Sequence, residues 1–87
     1  DKAEQILAES IKFCRLYNDG YVSFAEIHKL LMFPEYYQEK LEVLKILFRQ
    51  GKFDDTDVYN LLTCIDFFEK EYFSLNFNFK IRNKQNY

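Results

Sequence analysis

The sequence predicts a mainly all-α domain: four short-to-medium helices in two helix-Gly-helix units, followed by a C-terminal β-strand. Three observations predict it. Apolar residues recur with helical period over four consecutive segments, a helix-Gly-helix stretch occurs twice, and the period falls to two residues after Tyr72. The repeated stretch runs from Leu16 through Gly20 to Leu31 and again, thirty-one residues later, from Leu47 through Gly51 to Leu62.

The first helix, residues 2–17, gathers Ala3, Ile6, Leu7, Ser10, Ile11, Phe13, Cys14 and Tyr17 on one side and Lys2, Gln5, Glu9, Lys12 and Arg15 on the other. Gly20 suits the left-handed residue that ends it. Ser23 then stands three residues before Glu26, the spacing of a capping box, and Val22 and Ile27 stand at the separation of a hydrophobic staple. The second helix runs from Ser23 to about Met32, presents Phe24, Ile27, Leu30 and Leu31, and stops at Phe33 because the residue before a proline is pushed out of helical geometry.

Pro34 suits the first position of a third helix, which extends to Gln50. Its apolar arc of Tyr36, Tyr37, Leu41, Val43, Leu44, Leu47 and Phe48 is wide, with Ile46 outside it, so this helix is expected at the centre of the packing. Gly51 repeats the stop, Asp54 and Asp57 repeat the capping box, and Phe53 and Val58 repeat the staple. The fourth helix, Asp55 to about Tyr72, puts Val58, Leu61, Leu62, Ile65, Phe68 and Tyr72 on one stripe and leaves Tyr59 and Phe67 opposite, where no core is evident. Phe73, Leu75, Phe77, Phe79 and Ile81 then alternate with Ser74, Asn76, Asn78 and Lys80, the pattern of a half-buried strand. The expected organisation is a helical domain over 1–72, a strand or arm over 73–81 and a polar tail over 82–87.

Composition restricts the function classes. The 87 residues are 48% hydrophobic and 20% aromatic, with ten Phe, seven Tyr and no Trp, which argues against disorder and exceeds what a small core demands. Net charge is −2, so no global field draws the protein to nucleic acid or an anionic membrane. Two cysteines, Cys14 and Cys64, form neither a disulfide framework nor a zinc spacing, and buried free thiols are the expectation. No apolar run approaches 18 residues, and neither a signal peptide nor an Asn-x-Ser/Thr acceptor is present. A cytoplasmic setting is therefore expected. The opening at Asp1, without Met, is what a trimmed piece of a longer protein would give.

Asn18 to Ile27 resembles the second half of an EF-hand calcium loop. With Gly20 as sixth loop residue, the resemblance places Asp19, Tyr21 through its carbonyl, Ser23 and Glu26 at ligand positions and Val22 at the usual apolar one. Leu7, Ile11, Cys14, Ile27, Leu30 and Leu31 follow the flanking-helix pattern. The first half departs from the family, since Arg15 and Tyr17 stand at loop positions one and three and a cation at position one opposes Ca²⁺. In the second unit Ile46 and Phe48 occupy those positions. The resemblance spans residues 7–31 at most, and no metal or cofactor is expected. Residues 23–53 also resemble a helix-turn-helix in rhythm, but Glu35, Glu39, Glu42, Asp54, Asp55 and Asp57 would meet the phosphates of a nucleic acid, which argues against one as partner.

Catalytic groups are sparse. His28 is the only histidine, Ser23 is assigned to a cap, and nothing in the sequence brings Cys14 or Cys64 to His28. A non-enzymatic protein-protein interaction module, meeting a protein partner or its own copy as a dimer, is the expected function. Residues 54–71 hold six acids and one Lys beside Tyr59 and Phe67, which form the expected contact face with Phe73, Leu75, Phe77 and Phe79 of the strand.

Overall fold

The structure is a computed structural model describing residues 1–74 of the chain. Its helices are α1 (Lys2–Tyr17), α2 (Phe24–Met32), α3 (Pro34–Arg49) and α4 (Asp55–Phe67), and α4 continues into a π-helical turn, Phe68–Tyr72. The expected strand lies outside the described residues except for its first two positions. These two, Phe73 and Ser74, continue the helix.

Local chemistry sets the boundaries. The Asp1 carboxylate accepts the Glu4 N–H at 2.9 Å and starts α1. Ser23 Oγ accepts the Glu26 N–H at 3.2 Å and starts α2, and Phe33, in extended geometry before Pro34, separates α2 from α3. At α4 the capping box is complete, with Asp54 accepting the Asp57 N–H at 2.8 Å and Asp57 accepting the Asp54 N–H at 3.3 Å. In the first unit only half of the box forms, because the Glu26 carboxylate is drawn away to accept the Tyr36 hydroxyl of α3. A short tertiary hydrogen bond has replaced a local one.

Both glycines have positive φ, +83° at Gly20 and +72° at Gly51, but they occupy different places in their caps. Gly51 is the first residue past the α3 cap: its N–H donates to the Phe48 carbonyl, and the Lys52 N–H reaches back to Leu47, both at 3.0 Å, in a Schellman arrangement. After α1 the corresponding left-handed position is held by Asp19, at φ +53°, and Gly20 supplies the N–H that reaches back to Arg15 at 2.9 Å. The Tyr21 N–H then closes a tight turn on the Asn18 carbonyl at 3.0 Å. The repeat is thus one residue out of register at the helix ends.

The packing centres on α1, which touches α2, α3 and α4, and not on α3 as the breadth of the α3 apolar arc suggests. Ser10, Phe13 and Cys14 of α1 are fully buried, and the Ser10 hydroxyl is satisfied by the Ile6 carbonyl at 2.7 Å. α3 contributes Tyr37, Leu41 and Leu44 to the core, whereas Val43, Ile46 and Phe48 stay exposed. Its arc is wide because part of it is left uncovered.

Much of the aromatic content is structural. Phe68, fully buried, has ring neighbours in Phe13 at 5.6 Å, Tyr37 at 5.1 Å, Phe67 at 5.5 Å and Phe73 at 5.7 Å. The π-helical turn gathers this cluster, since its i→i+5 bond from the Phe73 N–H to the Phe68 carbonyl changes the helical phase and brings Phe67, Phe68, Tyr72 and Phe73 into mutual contact. Three tertiary contacts pin the turn. Glu71 meets Lys2 at 2.7 Å, Glu69 accepts the Tyr37 hydroxyl at 3.1 Å, and the Tyr72 hydroxyl donates to the Leu31 carbonyl at 2.9 Å.

Candidate protein-interaction surface

α4 sits on α1 by a face that keeps Leu61, Ile65, Phe68 and Tyr72 of the expected stripe but is turned toward Cys64 and Phe67 and away from Leu62. Leu61, Cys64 and Phe67 are buried, whereas Leu62, expected inward, is 61% exposed beside Tyr59 at 67%. Apolar side chains lie nearly all round this helix, so its own pattern does not choose a face. α1 chooses it: the Cys64 thiol donates to the Glu9 carbonyl at 3.5 Å, and Lys12 reaches Thr63 Oγ1 at 3.5 Å. Phe67 is accordingly corrected from exposed anchor to core residue, 3% exposed and covered by the Lys2 ammonium 5.8 Å from its ring.

The rotation of α4 leaves a groove against α1, lined by Gln5, Glu9 and Lys12 on one side and Tyr59, Leu62, Thr63, Asp66 and Glu71 on the other, with Phe67 in its floor. Its acids are largely neutralised within the molecule. Glu9, almost buried, pairs with Lys12 at 2.6 Å, Asp66 with Lys70 at 2.9 Å and Glu71 with Lys2 at 2.7 Å. Toward the start of α4, in contrast, Asp54, Asp55 and Asp57 form no ion pair among the described residues. The groove therefore offers two large apolar side chains and hydrogen-bonding groups along its walls.

Of the other residues expected to contact a partner, Phe73 is helical and half-buried, with its ring 5.1 Å from Tyr37, so it belongs to the core cluster. Leu75, Phe77 and Phe79 lie outside the described residues.

The EF-hand positions are brought into one turn but are occupied with other work. Ser23 caps α2, and Glu26 holds Tyr36. The Tyr21 carbonyl faces the Asn18 amide at 3.4 Å and the Cys14 thiol at 3.6 Å. Among the described residues no group of three or more His, Cys, Asp or Glu side chains is placed to hold a metal ion. Burial, aided by the bond to Glu26, pushes the Tyr36 hydroxyl up to about 12. Burial likewise pushes the Cys64 thiol up to about 12, with the Glu9 charge adding to it, so this thiol is protonated and unreactive at neutral pH.

Two features escape the sequence reading. The two glycine turns share a cleft of about 620 Å³, floored by Leu16, Tyr17, Leu47 and Phe53, with Lys12, Arg15 and Lys52 opposed by Asp19 and Asp57. The repeat unites these residues in the sequence but gives no sign that they meet. The outer face of α2 carries Phe24, His28 and Met32, all exposed, with Phe24 at 88%. Their spacing of four residues was available as a signal, since Ile27, Leu30 and Leu31 already supply the inward face.

No helix in the described residues is long and apolar enough to cross a membrane. Comparison with protein-family models, with curated proteins and with solved structures finds no match to this chain.

Proposed function

We propose that this domain is a non-enzymatic protein-protein interaction module that receives a partner segment in the groove between α1 and α4. The supporting observation is the pairing of Tyr59 and Leu62, large side chains that stand 67% and 61% exposed over the Phe67 floor although the core beneath is well filled. Exposed aromatics beside a concave wall are the usual anchors of an interface. Asp54 and Asp55, without an ion pair among the described residues at the start of the helix that carries Tyr59 and Leu62, favour a segment with an apolar anchor and adjoining cations. The function uses neither metal nor cofactor, and two buried free thiols fit a cytoplasmic, reducing setting.

The test replaces tyrosine by a photo-crosslinking analogue at position 59 and, as control, places the analogue at the exposed Glu42 of α3. Covalent capture of a defined partner from position 59, abolished by Leu62→Asp with the circular dichroism unchanged, supports the assignment. Capture independent of Leu62, or equal capture from position 42, refutes it. Raising the salt concentration is expected to weaken capture if the aspartates steer the partner.

A further inference from the structure

We infer that the outer face of α2 is a self-association surface whose occupant is a second copy of this chain. It is a different surface from the α1/α4 groove. From Tyr21 to Phe33 the only charged residues are Glu26 and Lys29, with His28 and the Tyr21 phenol the other titratable groups. Both charges are engaged by the same half-buried residue at the edge of this face: Glu26 accepts the Tyr36 hydroxyl, and the exposed Lys29 places its ammonium 5.4 Å from the Tyr36 ring. What remains outward is Phe24, His28 and Met32 in line, with Ala25 beside them, Tyr21 and Val22 before them, and Phe33 edge-on to His28 at 6.4 Å.

Tyr21 at 72%, Val22 at 42%, Phe24 at 88%, Met32 at 54% and Phe33 at 46% are all exposed. With side chains of this size they present about 600 Å² of largely apolar surface. Two copies would cover about 1,200 Å², the lower end of a specific interface. A helix apolar on both sides is one that is covered on both sides.

The charge pattern selects the occupant. A strongly charged partner finds little complement here, whereas a face whose one exposed formal charge, Lys29, is held over Tyr36 at its edge meets its own copy with little like-charge repulsion. The spacing is self-complementary as well. Two α2 helices antiparallel about a two-fold axis at His28 set Phe24 of each copy over Met32 of the other, and the small Ala25 leaves room for close approach.

Sedimentation velocity of the full chain from low to high micromolar concentration tests this. The expected result is a concentration-dependent dimer, weakened at least about tenfold by Phe24→Asp or Met32→Asp with unchanged melting and circular dichroism. Tyr59→Asp should leave the dimer intact, which separates this surface from the groove. Because position 28 lies on the axis, His28→Cys should form a disulfide with its own copy on mild oxidation. A monomer at high micromolar concentration overturns the inference. So does a dimer that survives both aspartate variants, because its interface then lies elsewhere and α2 has another occupant.

Discussion

The two glycine turns allow a prediction of opposite signs within one motif. Gly51→Ala meets no steric obstacle, since nothing lies within 4 Å of the position a Cβ would take, so its cost is that of the backbone at φ +72°. Left-handed geometry costs an alanine about 1–2 kcal/mol. The freedom glycine loses on folding, which alanine never had, returns about half of that. The net loss should be about 1 kcal/mol, or about 4–8 °C in melting temperature for a domain of this size. Gly20→Ala, at φ +83° and equally open, should cost a similar amount, and asparagine at either position less. Asp19 reverses the sign: already left-handed at φ +53°, it should tolerate glycine neutrally or with a small gain. Urea unfolding followed by circular dichroism measures all of these. If Gly51→Ala is as stable as the parent, or Asp19→Gly loses as much as Gly20→Ala, the assignment of the caps is wrong.

Phe67→Ala should destabilise by about 3–5 kcal/mol, whereas Tyr59→Ala should stay within about 0.5 kcal/mol, and equal losses in chemical denaturation would contradict the orientation of α4. Stability should be fully present below about pH 8, where the unfolded Cys64 and Tyr36 are both protonated, and should fall as pH rises through about 8.5 and 10 toward 12, because the folded protein holds both protons more tightly than the unfolded chain. Tyr36→Phe should remove its share of that alkaline loss, readable in denaturation midpoints against pH. Burial also raises the Tyr17 and Tyr37 hydroxyls, so ultraviolet titration should show a late tyrosinate step preceding or accompanying unfolding. Calorimetric titration with Ca²⁺ should give no micromolar or tighter site, since Ser23 and Glu26 are engaged and Arg15 stands at the first loop position.

The helix boundaries were legible because each is written in a few adjacent residues: Ser23, Phe33-Pro34, Gly51 and Asp54 act through their own backbone and need no tertiary information. The orientation of α4 was not legible. Leu61 and Ile65 fit either face, Leu62 competes with Cys64 and Phe67 for the inward place, and only the complementary surface of α1 decides between them. The same limit hid the role of Glu26, whose local bond at the α2 cap lost to a distant phenol. Of the candidate surface, Tyr59 was legible as an aromatic without a core, while Phe67, chosen on identical grounds, lies beneath Lys2. The outer face of α2 is spelled by Phe24, His28 and Met32, but Phe24 stands equally at helical spacing from Ile27 and Leu31 of the inward stripe, and the pattern alone does not choose between them.

The contacts at the π-helical turn also bear on the order of folding. The Lys2–Glu71 pair joins positions 69 residues apart, and Phe68 packs against both rings of the Phe13–Tyr37 pair. During vectorial synthesis α1, α2 and α3 emerge before the segment that fastens them to one another. Until Phe68 and Phe73 arrive, α1, α2 and α3 have their local caps but only the Phe13–Tyr37 pair of the aromatic centre, so locking of tertiary structure is deferred to the end of the described chain. A nascent chain stalled before position 68 should therefore be helical yet open to protease, and release of six further residues should close it.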